Sequence, residues 1–116
     1  MKLYEFLDKA PAIGRLVIVE GTEQVLAERA LETLLDRLVP ADVRDLNVMR
    51  VAPADVGDGA QVRAAVQAMP FLAERRVVVV TDAQTLRAQE RRNLWDAAQG
   101  VPEGNTLVIV DMLSPR

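Results

Sequence analysis

Three observations predict a layered α/β domain whose mostly parallel sheet is covered by helices on both faces. Residues 77–80 are four consecutive valines, bounded by Arg75-Arg76 and Thr81-Asp82. A strand with one wet face alternates polar and apolar residues, so an unbroken β-branched run marks a strand buried on both sides. Residues 16–19 and 107–110 repeat this continuous apolar pattern. Between these runs lie stretches with apolar residues at helical spacing, and strands alternating with helices of that length imply crossovers and parallel pairing.

The elements follow in order. Leu3, Tyr4, Phe6 and Leu7 fit one or two helical turns, closed by Ala10-Pro11, and read as a packing flap. The first strand, 16–19, ends at Glu20-Gly21, where a tight turn is expected, and Thr22 then caps a helix over 22–39. That helix carries Leu26, Ala30, Leu31, Leu34, Leu35 and Leu38 on one face and is stopped by Pro40. A peripheral strand is expected over 46–51, with Arg50 marking a partly exposed edge. Residues 52–58 form a loop, and Asp58 with Gln61 has the spacing of a reciprocal helix cap.

The helix that follows reaches about Met69, because Val62, Ala65, Val66 and Met69 recur at intervals that fit one face. Pro70 ends it and throws Phe71 and Leu72 into a connection, where large apolar side chains are uncommon. After the valine strand, Thr81-Asp82 is expected to cap a helix over 83–98 with Leu86, Leu94, Ala97 and Ala98 inward. Gly100 suits its end, residues 102–105 are turn chemistry, and 107–110 is the last strand.

Composition limits what such a domain does. The 116 residues are 50% hydrophobic and 27% charged, as in one globular domain and too few for two. One Trp, one Tyr and two Phe offer little aromatic surface for stacking on bases. A formal net charge of -3 provides no global attraction for a phosphate backbone, so nucleic acid would be reached through partners. Cysteine and histidine are absent, which removes disulfides, thiolate nucleophiles, the usual zinc sites and the commonest general base near neutral pH. No apolar run approaches a membrane span, and the opening segment carries Glu5 and Asp8 rather than a signal peptide's pattern, so a cytoplasmic location is expected.

Candidate chemistry is sparse. The first strand's end occupies the place of a phosphate loop in nucleotide-binding α/β domains, yet a single Gly21 is followed by Thr22-Glu23-Gln24, with no lysine, and Glu23 would repel phosphate. Glu20 and Asp82, both at strand ends, could hold magnesium as in a receiver domain, although helix capping explains Asp82 equally well. Neither a P-loop NTPase nor a receiver domain is therefore the favoured reading, and no cofactor or metal is expected. Arg75, Arg76, Arg87, Arg91 and Arg92 are interleaved with Glu90 and Asp96 and read mainly as a solvated helix face. For Phe71 and Leu72, composition alone favours tucking beneath the sheet; exposure would mean a partner site.

Tyr4-Glu5-Phe6-Leu7, the run 17–23 with Leu26 after it, the run 68–80 from Ala68-Met69-Pro70-Phe71-Leu72 through Glu74-Arg75-Arg76 to the valines, Asp82-Ala83 and the strand 106–110 occur in that order. In order and spacing they resemble the N-terminal domain of the delta subunit of the bacterial DNA polymerase III clamp loader. The resemblance implies the clamp-loader ATPase fold with a degenerate nucleotide site, no intrinsic activity within the DNA-directed DNA polymerase assembly, and a clamp-binding, clamp-opening role. By position, Met69, Phe71 and Leu72 would be the wedge that grips the sliding clamp, with Phe71 and Leu72 largely exposed and Met69 packed inward at its base with only its thioether end reaching the partner. Family members continue into lid and collar domains, so residues 1–116 are expected to be a C-terminally truncated single domain. Contacts with other loader subunits would belong to the longer protein, and contact with DNA would be indirect.

Overall fold

The computed structural model describes residues 15–112. Strand β1 (Leu16–Gly21) leads to helix α1 (Gln24–Leu38), and a 3-10 turn at Ala41–Val43 leads to the one-turn helix α2 (Arg44–Asn47). Strand β2 (Val48–Val51) follows, then a 3-10 turn at Pro53–Asp55 and helix α3 (Ala60–Gln67). Strand β3 (Val77–Val80), a 3-10 turn at Ala83–Thr85, helix α4 (Ala88–Gln99) and strand β4 (Thr106–Met112) complete the order.

The four strands lie in the order β1-β4-β3-β2, and all three pairings are parallel. The predicted α/β class with helices on both faces is what the chain adopts. Alternation along β3 shows why its valines are unbroken: Val77 and Val79 join Val17, Val19, Val108 and Val110 under α1, while Val78 and Val80 join Leu107 and Ile109 under α3 and α4. All four valines are fully buried. Because both faces of the sheet are covered, every position of this central strand takes an apolar side chain.

β1 is paired on one side only among the described residues, by β4. The opening helix expected around residues 3–7 lies outside the described residues.

Several local expectations are corrected. β1 runs through Glu20 and Gly21, which pair in register with Asp111 and Met112, so the turn falls at Thr22-Glu23 instead of Glu20-Gly21. Glu23, not Thr22, is the N-cap of α1, and it makes no side-chain cap bond. Ala30, Leu31, Leu34 and Leu35 are buried as expected, but at the start of the stripe Leu26 is exposed and Ala27 is buried instead. Residues 46–47 are helical rather than extended because Asn47, a poor strand former, donates from Nδ2 to the carbonyl of Val43 one turn back.

Asp58 accepts from the backbone N–H of Ala60 at 2.9 Å, but the N-cap of α3 is Gly59 at φ +86, so the reciprocal pair with Gln61 is not the capping device. Asp82 adopts a left-handed conformation (φ 51) and makes no side-chain cap. Its carbonyl instead accepts from Thr85 N and Oγ1, closing a short 3-10 turn. The helix expected over 83–98 is therefore broken at Leu86-Arg87. Buried Leu86 is extended, and α4 begins afresh with Glu90 Oε1 accepting from the Arg87 N–H at 3.0 Å.

Candidate functional site

Between α3 and β3 the chain makes a connection that carries three exposed large apolar side chains within four residues. α3 ends at Gln67, two residues before the expected Met69. Pro70 has no N–H to donate and disfavours the α conformation at the residue before it, so Met69 cannot extend the helix. Met69 thus leaves the apolar stripe and stands 85% exposed, beside Phe71 at 57% and Leu72 at 76%. Burial beneath the sheet, which composition favoured, does not occur.

The backbone of this loop is nonetheless tightly held. At its base, the buried Asn105 side chain donates from Nδ2 to the carbonyls of Val66 and Ala68, both at 2.9 Å. Asn105 Oδ1 accepts from the Arg76 N–H at 3.1 Å, so one amide joins the departing and returning ends. The Arg76 guanidinium donates from Nε to the Ala65 carbonyl at 3.0 Å and from a terminal nitrogen to the Leu46 carbonyl at 3.3 Å. These bonds satisfy carbonyls that the end of a helix leaves without intrahelical partners. Arg75 donates to Thr106 Oγ1 at 2.8 Å. The two arginines that read as members of a basic cluster are therefore built into the loop.

At the tip, the fully buried Asn47 donates to the Phe71 carbonyl and accepts from the Phe71 N–H, both at 2.7 Å. A side-chain amide that pairs with both backbone groups of one residue imitates a neighbouring strand. Leu72 follows at φ 58, a left-handed conformation uncommon outside glycine, and this reverses the chain toward β3. Leu46, the residue before Asn47, is 52% exposed. Asn47, Asn105 and Leu46 were not singled out by the sequence; the one available signal was an asparagine inside a run that otherwise read as a strand.

Other candidate positions do not assemble into a site. Glu20 lines a small depression on the α4 side of the sheet with Ile18, Arg91, Trp95 and Asp111. Asp82 lines a different one on the α1 side with Gln24, Glu28 and Arg50. The strand carrying Glu20 is separated from β3 by β4, so the two acids do not share a cation. Arg91 pairs with Asp111 at 3.3 Å, Arg87 with Glu90 at 3.4 Å, and Arg92 donates to Gln89, which leaves these arginines engaged locally. No helix among the described residues is long and apolar enough to cross a membrane.

No curated protein matches the sequence. The solved structure of the DNA clamp loader delta protein of Bacillus subtilis is similar, with a TM-score of 0.73 over 94% of this chain at 18% identity. The chain spans about a third (34%) of the length of that protein, and at this identity the likeness speaks to the fold. A family model described as DNA polymerase III, delta subunit, matches residues 18–110, which is 93 of the 116 residues. A match over that share of the sequence shows the family, and the chain belongs to the DNA polymerase III delta subunits.

Proposed function

We propose that this domain binds a sliding clamp as part of a clamp loader, using Met69, Phe71 and Leu72 as an apolar wedge, and that it performs no chemistry itself. The observation that carries the reading is the contrast within one loop: three large apolar side chains stand in solvent while the backbone beneath them is hydrogen-bonded to buried asparagines. Exposed apolar anchors on a preset backbone have the character of an interface hot spot, because little ordering remains to be done on binding. Membership of the delta-subunit family and the fold shared with a clamp loader delta protein support the same partner.

A non-catalytic role is favoured by the geometry after β1. Gly21 is the last residue of an extended strand, α1 starts three residues later, and the chain's lysines are Lys2 and Lys9, so the machinery of a phosphate loop is missing from this turn. Opening of the clamp ring follows if the wedge binds beside a subunit interface of the ring and favours its open form. Contacts with other loader subunits are part of the same reading, DNA is reached through the clamp, and the cytoplasm is the compartment of such an assembly.

Titration of the chain into the sliding clamp of the same organism, followed by fluorescence anisotropy, tests the reading. Saturable binding that is lost on replacing Phe71 and Leu72 by alanine is expected. Absence of saturation, or binding indifferent to these residues, would overturn it.

A further inference from the structure

The structure assigns to Asn47 the role of a positioning residue, which fixes the Phe71 backbone and so presents the wedge in its binding geometry before a partner arrives. The inference rests on the clamp-binding reading above and adds a residue that would not itself touch the clamp.

Asn47 lies at the end of α2, 24 positions before Phe71 in sequence, with none of its side chain open to solvent. All three bonds of its amide are at 2.7–2.9 Å: one to the Val43 carbonyl within its own turn and two to the backbone of Phe71. The Val43 bond orients the amide and fixes which atom donates and which accepts. The remaining pair then clamps Phe71 from both sides. Phe71 precedes a left-handed Leu72, a conformation that an unrestrained chain visits rarely. Ordering the backbone of one residue at the moment of binding costs a factor of about ten in affinity, and a loop ordered in advance avoids that loss.

Asn105 and Arg76 hold the base of the same loop, but their partners lie at Leu46, Ala65, Val66, Ala68 and Arg76 and none is a wedge residue, so they anchor the fold rather than the tip. Asn47 alone among these side chains reaches the wedge residues. Its effect on binding should therefore depend on the Phe71 side chain being there to present.

Two measurements test the assignment. In the wild-type chain, the Phe71 amide should exchange with solvent about tenfold more slowly than those of Met69 and Leu72, which lack a buried side-chain acceptor, as one net hydrogen bond provides. Equal exchange would overturn the assignment whatever any variant does. In clamp titrations, Asn47→Ala should weaken binding about tenfold, whereas in a Phe71→Ala background the same change should weaken it by less than about threefold. A general loss of folded protein would lower both backgrounds by one factor, and that result, or an Asn47→Ala affinity equal to wild type, refutes the positioning role while leaving the wedge intact. If Phe71→Ala by itself leaves clamp affinity unchanged, the clamp reading falls, and the positioning role with it.

Discussion

Replacing Phe71 and Leu72 together by alanine should separate binding from folding. Full burial of a Phe or Leu side chain contributes about 1.5–3 kcal/mol. With 57% of Phe71 and 76% of Leu72 still exposed, the area left to cover on a partner corresponds to roughly 1–2 kcal/mol for each. The pair then contributes roughly 2–4 kcal/mol, a loss of about 30- to 700-fold in affinity. The same exposure sets the effect on folding. Truncating a buried Phe costs about 3–5 kcal/mol, whereas changes at exposed positions usually stay within about 0.5 kcal/mol. Phe71 is partly covered, so the double variant should lose no more than about 1 kcal/mol of stability. Urea denaturation followed by circular dichroism gives the second number and clamp titration the first. A double variant that unfolds, or loses several kcal/mol, would show that these side chains are core and that the wedge assignment is wrong.

Other perturbations have equally definite outcomes. Asn105→Ala removes the partners of two carbonyls and one N–H at the loop base, each costing about 1–3 kcal/mol when left unpaired, so it should destabilise the domain far more than the wedge substitutions do; a midpoint in urea near that of wild type would contradict this. Gly59→Ala should lower stability by about 1–3 kcal/mol, because φ +86 disfavours a side chain and the added Cβ would sit 3.0 Å from the Asn93 carbonyl oxygen; thermal melts read this directly. Magnesium and ATP at millimolar concentration should leave the melting temperature unchanged, since ligand at a hundredfold over its Kd would add about 2.7 kcal/mol and shift the midpoint by several degrees; a shift of that size would refute the absence of a working nucleotide site.

How the fold was legible follows from the range of the forces involved. An unbroken valine run admits few environments, so the central strand and the helices on both faces followed from residues 16–19, 77–80 and 107–110 alone. The loop was located equally well, because Pro70 acts on its immediate neighbours and Phe71-Leu72 is apolar wherever it points. Its flanks were misjudged by a few residues each time a periodic pattern outran the backbone. Met69 continued the stripe of α3 in sequence but not in space, and Leu46-Asn47 extended an apolar run into a helical turn.

What the sequence by itself determined was therefore the class of fold, the place of the apolar loop and the family pattern that runs through it. Periodicity, proline geometry and β-branched runs act between residues a few positions apart. The tertiary structure alone decided that Met69 stands in solvent with Phe71 and Leu72 and that Asn47 and Asn105 hold the loop beneath them. Those facts depend on partners 24 and 39 positions away, which come within hydrogen-bonding distance only when the parallel sheet brings the start of β2, the loop and the start of β4 to the same end of the domain.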